Sequence, residues 1–175
     1  NGRFVEETIR SVLLQGYPDL EYVVIDGGST DGTVDIVRKY EHWLAYWISE
    51  KDQGQADALK KGLDRVQGAL VGWINSDDLL APRALQVVAD AYLRHPQFGV
   101  YAGKVENFQD RSFGQDHEII RPRNISFTSL LLHESSSLKT RPIWHQPGIL
   151  FTSDIYRKSG AINPNYYYRM DYDLL

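Results

Sequence analysis

The sequence has no cysteine and a single methionine. Without thiols there are no disulfides and no thiolate metal sites, which leaves carboxylates, imidazoles and hydroxyls for any chemistry and fits a reducing compartment. A surplus of positive charge is missing too: 19 Lys and Arg stand against 23 Asp and Glu, a formal net charge of -4. No basic stripe is left to neutralise a phosphate backbone, so nucleic acid is not an expected partner. Nowhere does an apolar run approach the ~18 residues that a membrane span needs, and the start of the chain lacks the charged-then-apolar layout of a signal peptide. Internal repeats and low-complexity tracts are absent as well. What is present is 42% hydrophobic and 12% aromatic residues over 175 positions, enough for one core and one domain.

Hydrophobic periodicity predicts alternating helices and strands. Val5, Ile9, Val12 and Leu13 recur at helical spacing, and the pattern stops at Gly16. A strand follows over 21–25, then the polar loop DGGSTDGT, then a helix bearing Val34, Ile36, Val37 and Tyr40. Residues 43–49 predict a short strand, and Ala56, Leu59, Leu63 and Val66 share one face of the next helix. ALVGWI (69–74) is apolar enough for a strand buried on both faces. Pro82 suits the first turn of a helix with Leu85, Val88, Tyr92 and Leu93, and FGVYAG (98–103) predicts a strand after it. This alternation predicts an α/β fold with a doubly wound, mainly parallel sheet flanked by helices. From 104 to 141 the rhythm fails, and an irregular connection with one helix around FTSLLL is expected. GILF (148–151) then predicts a strand, followed by a helix near 154–159 closed by Gly160 and a further helix beginning at the last residues.

Two strands end in acids. Asp26 closes the strand at 21–25, and Asp77 and Asp78 follow the strand at 69–74. In an open α/β sheet ligands bind beyond the carboxyl ends of the strands, so these acids are expected to face one crevice. Adjacent carboxylates after a buried strand repel unless water or a cation lies between them. A hard cation such as Mg²⁺ or Mn²⁺ takes one or two carboxylates plus substrate phosphates. The plain alternative is that an aspartate here caps the helix after Pro82, and that DGGSTDGT is only a turn.

At this point a family resemblance enters. DGGSTDGT after a strand, then GQADALKKG, WINSDDLL, HQPGILF and MDYDL, resemble in their order the family-two inverting glycosyltransferases of the GT-A fold, which use nucleotide sugars. Each motif alone is weak, and the set is specific over nearly the whole chain. The resemblance implies one catalytic domain over 1–175, with a nucleotide-sugar-binding half at 1–103, Rossmann-like in character, and an acceptor-side half at 104–175. It implies that Asp26 contacts the base or ribose, with Asp52 and Asp57 as further nucleotide-sugar candidates. Asp78 would be the direct ligand of Mn²⁺ or Mg²⁺, with Asp77 beside it and nearer the ribose. Asp171 would be the catalytic base, with Asp173 its rival, and Met170 stands where the family commonly carries a glutamate. The partners implied are a nucleoside-diphosphate sugar donor and a glycan or lipid-linked acceptor, in surface polysaccharide synthesis. The implied location is cytoplasmic, with peripheral contact at a membrane. The family's first strand would end just before Asn1, so the chain is expected to be truncated at both ends and the strand at 21–25 to have an empty edge.

Several residues carry a second, blander reading. His145 and Gln146 are candidates for contact with acceptor, diphosphate or metal, although a lone histidine is more often structural. Trp43, Trp47, Trp73 and Trp144 can stack on sugar rings, with core packing the stronger reading for Trp47 and Trp73. Tyr166, Tyr167 and Tyr168 can line an acceptor groove or form a turn. Arg121 and Arg123 can clamp phosphate or sit in a solvated charge run. Two rival functions also stand: a sugar kinase or actin-like phosphoryl-transfer enzyme, whose phosphate loop DGGSTDGT resembles, and a nucleotide-sugar-binding module without catalysis. In the kinase the loop joins two strands of a hairpin, whereas here a helical pattern follows.

Overall fold

The computed structural model describes residues 2–107, 118–121, 145–160 and 162. Helix α1 (Val5–Leu13) carries Glu6 and Glu7 in its first turn, where they complement the helix dipole, and buries Val5, Ile9 and Val12 along one stripe. Strand β1 (Val23–Asp26) leads through the glycine-rich loop into helix α2 (Thr33–Lys39), and the chain returns as strand β2 (Tyr46–Ser49). β1 and β2 pair in parallel, with Val23 opposite Tyr46 and Asp26 opposite Ser49. Side chains alternate across β1. Val24 joins Val5, Ile9 and Val37 in a core with α1 and α2. Ile25 points the other way, to Gly62 on helix α3 (Gln55–Leu63).

The second core lies under α3. Ala56 and Leu63 meet Val71, Ile149, Phe151, Tyr156 and Ile162 there. It is built on strand β3 (Leu70–Val71), strand β4 (Val100–Ala102) and strand β7 (Ile149–Thr152), and helix α5 (Ser153–Lys158) leaves β7 with Thr152 accepting the Ile155 N–H as its cap. β7 sits between β3 and β4 and runs antiparallel to both. β3 and β4 thus share a direction, as the alternation predicts, while β7 opposes them. Helix α4 (Ala84–Arg94) packs on β4.

Four expectations change. The strand at 69–74 is only two residues long, and only Val71 in it is fully buried. At Gly72 an added Cβ would lie 2.9 Å from the Ile149 carbonyl, and beyond it Trp73 turns to meet Phe151 edge-on, with ring centroids 6.0 Å apart. Pro82 stands two residues ahead of α4, whose N-cap is Arg83 with φ of 64°. Residues 41–43 form a short 3-10 turn rather than the start of β2, which leaves Trp43 63% exposed. In the stretch from 104 on, strand β5 (Val105–Asn107) and strand β6 (Glu118–Ile120) pair antiparallel where an irregular connection was expected. Among the described residues β1 has a strand on one side only, and the β1–β2 pair is separate from the β3–β7–β4 sheet. The helices expected around FTSLLL and at the chain's end fall outside the described residues.

Candidate active site at the strand ends

Asp26 is the last residue of β1 and only 8% exposed. One of its oxygens, Oδ2, accepts from the Gly28 N–H at 3.2 Å, the Ser29 N–H at 2.9 Å and the Ser49 hydroxyl at 2.6 Å. The loop folds back to donate these bonds because Gly28 takes a φ of +84°, which a side chain would resist. Burial pushes the carboxyl up, but the bonds from Ser29, Ser49 and Gly28 outweigh it and hold Asp26 below the ordinary aspartate value. An acid therefore ends this apolar strand because it organises the loop that follows. Since the folded value lies below the unfolded one, ionised Asp26 contributes stability above about pH 4 that is lost as pH falls through the folded value. Ser49→Ala should cost about 1–2 kcal/mol at pH 7, with the gap to wild type narrowing in acid. Urea denaturation at pH 7 and at pH 3 checks it, and an equal gap at both would detach the bond from the charge of Asp26.

The neighbouring strand supplies the next acid. An added Cβ on Gly27 would stand 2.5 Å from an Asp52 carboxylate oxygen, so the loops after β1 and β2 touch at this glycine. Asp52 accepts the Gly54 N–H at 2.9 Å and turns the chain into α3. Asp57, in the first turn of α3, accepts the Gln53 N–H at 3.2 Å and pairs with Lys61 at 3.2 Å. Those contacts hold its carboxyl below the ordinary value, the Gln53 bond first. Asp57 thus braces the turn at 53–57.

The third loop follows β3. Asn75 donates from one amide nitrogen to Asp78 Oδ2 and to Gln146 Oε1, both at 2.9 Å, and accepts from Gln55 Nε2 at 2.8 Å. Gln146 in turn donates to the Trp73 carbonyl. Asp52, Gln55, Asn75, Asp78 and Gln146 are thereby brought together, and the 52–55 loop bridges from Gly27 to the acidic pair. Asp78 is half-buried and Asp77 exposed. Burial raises the Asp78 carboxyl above its ordinary value, and the Asp77 charge adds to the rise. The Asn75 bonds and the His145 imidazole pull it back. The capping alternative is absent, since no side chain caps α4. Asn75 and Gln55 carry no chemical signal of their own in the sequence, although they lie inside WINSDDLL and GQADALKKG.

The described residues contain no cluster of three or more His, Cys, Asp or Glu side chains able to hold a metal by themselves. A cation here would take Asp78, with Asp77 and His145 close by, and complete its shell with oxygens from a ligand. That donor set suits Mg²⁺ or Mn²⁺, which keep few protein ligands and add phosphate oxygens. Trp47 and Trp73 pack against the two cores as expected. Asp171, Asp173, Trp144, Arg123 and Tyr166 to Tyr168 lie outside the described residues. Arg121 is exposed just after β6.

The DGGSTDGT loop joins β1 to α2, and β1 lies parallel to the next strand, so it is not the hairpin loop of a sugar kinase. The model for glycosyl transferase family 2 matches residues 2–157. The chain belongs to glycosyltransferase family 2. Among relatives of this family 2 chain is TuaG of Bacillus subtilis, a glycosyltransferase named for teichuronic acid biosynthesis. It is 40% identical over 78 residues, which is 43% of this chain and 31% of that protein. The poly-β-1,6-N-acetyl-D-glucosamine synthase of Staphylococcus epidermidis is 27% identical over 101 residues, 57% of this chain and 24% of that one. The structure of S. aureus TarS 1–349 in complex with UDP superposes with a TM-score of 0.70 at 20% identity, over 97% of this chain and 49% of that one. This likeness shows the α/β fold, the GT-A type that the resemblance implied. The chain spans half or less of the length of each of these three proteins. No described helix of this family 2 chain is long and apolar enough to cross a membrane.

Proposed function

We propose that this family 2 chain belongs to an enzyme that moves a sugar from a nucleoside-diphosphate sugar to an acceptor hydroxyl, with inversion, in the synthesis of a surface glycan. What supports this most is the third loop. Asp78 is a half-buried carboxylate beside a second one, oriented by Asn75 and joined through Gln55 to the loop that touches Gly27 next to Asp26. Asp26, Asp52 and Asp77 would face the base and ribose, with Asp57 bracing their loop. His145 and Gln146 would meet the diphosphate or the acceptor. A Mn²⁺ or Mg²⁺ held by Asp78 and Asp77 would supply Lewis-acid neutralisation of the leaving diphosphate. Asp171 would accept the proton of the attacking hydroxyl from the opposite face of the sugar. Uridine diphosphate is the favoured nucleotide because TarS carries UDP, and the names of the relatives favour a glycan acceptor.

A panel of UDP-, GDP- and dTDP-sugars, each with Mn²⁺ and with EDTA, tests the reading through release of the nucleoside diphosphate. Release from one UDP-sugar, stimulated by Mn²⁺ and by added glycan, is expected. UDP binding with no turnover of any donor would identify a binding module instead.

A further inference from the structure

Helix α1 has a second stripe that faces the acidic loop. Thr8 and Ser11 lie about 60° apart on α1 at 3.6 residues per turn, beside the buried stripe of Val5, Ile9 and Val12, and Gln15 follows in the turn just past the C-cap Leu14. The Thr8 hydroxyl, 3% exposed, donates to the backbone carbonyl of Asp78 at 2.9 Å. Ser11 Oγ accepts the Leu80 N–H at 3.1 Å while donating to the Thr8 carbonyl at 2.8 Å. Gln15 Nε2 donates to the Ala81 carbonyl at 3.0 Å, and its Oε1 accepts the Leu85 N–H at 3.3 Å. Three side chains thus make four bonds to the backbone of residues 78–85, a stretch with no strand or helix of its own before α4. The apolar stripe fixes α1 against α2 and β1, so the polar stripe sets the Asp78 backbone relative to the strand that ends in Asp26.

We propose that Thr8, Ser11 and Gln15 are positioning residues for the cation site, holding the Asp78 carboxylate at the place where the donor diphosphate is met. Asn75 orients the carboxylate, and α1 places the backbone that bears it. The proposal rests on the reading of Asp78 as a metal ligand. The loss of one supporting hydrogen bond typically costs a metal site about tenfold or more in affinity.

The test is the dissociation constant of UDP measured by titration calorimetry, once with saturating Mn²⁺ and once with EDTA. The ratio of the two is the contribution of the metal. Thr8→Val removes the donor at nearly constant volume, Gln15→Leu and Ser11→Ala remove the other bonds, and Thr8→Ser restores the hydroxyl. The ratio should fall about tenfold in Thr8→Val, fall also in Gln15→Leu and Ser11→Ala, and recover in Thr8→Ser, with the EDTA value unchanged throughout. If Thr8→Val does not fold, Ser11→Ala and Gln15→Leu carry the same comparison. Tyr156→Phe, which removes a 3.0 Å bond to Asp64 at the C-terminal end of α3, is the control for lost stability and should leave the ratio intact. Asp78→Asn separates the two readings. If it loses the Mn²⁺ effect while the α1 variants keep theirs, positioning by α1 is wrong and the metal site stands. If Asp78→Asn keeps the Mn²⁺ effect, the metal reading fails and takes the proposal with it. Equal loss with and without Mn²⁺, or a fallen ratio in Tyr156→Phe, would also overturn it.

Discussion

Asparagine in place of Asp171 should lower kcat by about 10²–10⁴-fold, the usual contribution of a positioned general base, while the dissociation constant of the sugar nucleotide stays nearly constant. The substitution is chosen for what it preserves. Asn matches Asp in volume and keeps a side-chain oxygen acceptor, so a role limited to accepting a hydrogen bond would survive it. What is removed is the negative charge and, with it, the ability to take a proton. An unchanged donor affinity with collapsed turnover is the signature of a group that acts in the transition state and not in binding. Asp173→Asn is the internal comparison, and full activity is expected there. If Asp173→Asn collapses turnover and Asp171→Asn does not, the base is Asp173. Loss of donor binding in Asp171→Asn would move Asp171 to another part of the site.

Asp78→Asn should abolish Mn²⁺-stimulated transfer, a loss of about 10³-fold if charge neutralisation on the leaving group supplies some 4 kcal/mol. The same change should raise thermal stability in EDTA. Burial and the Asp77 charge lift the Asp78 carboxyl above its ordinary value in the folded chain. The folded value then exceeds the unfolded one, so ionising Asp78 opposes folding. That penalty is complete above the folded value and disappears below the unfolded one, which makes stability rise as pH falls across the window between them. Asn carries no such penalty at any pH, and its Oδ1 can still accept from Asn75. Mn²⁺ with UDP should raise the melting temperature of the wild type and leave the variant where it is. A variant that melts lower than wild type in EDTA would show that the carboxylate stabilises the loop rather than strains it.

Much of this was legible in the chain because the signals were local. The stripe of Val5, Ile9 and Val12, the strand closed by Asp26 and the helix carrying Val37 each follow from spacing within a few residues, and all three appear where expected. Motif order identified the family, which the match over residues 2–157 shows. The site was legible only as a set of acids. Asp57 braces its own turn, which spacing alone cannot distinguish from contact with a nucleotide. Asn75 was passed over because its partners Gln55 and Gln146 are 20 and 71 positions away. The antiparallel course of β7 was equally hidden, since nothing local states which way a strand returns after a long connection. Thr8 and Ser11 were masked by the stronger apolar pattern on the same helix, and Gln15 lies just past its end, although the spacing of three and four was on view.

The amide chain that meets Asp78 has a direction. Gln55 donates to Asn75, Asn75 donates to Gln146, and Gln146 donates to the Trp73 carbonyl, an oxygen that can only accept. That terminal oxygen dictates the orientation of every amide before it, because turning any one of them by half a rotation would set donor against donor or oxygen against oxygen. The N–H that Asn75 offers to Asp78 is thus decided by a backbone atom two links away. None of the three amides titrates, so the chain reads the same in mild acid and in mild base. Protons can come and go on the carboxylates while the geometry beneath them is kept by groups that ignore pH.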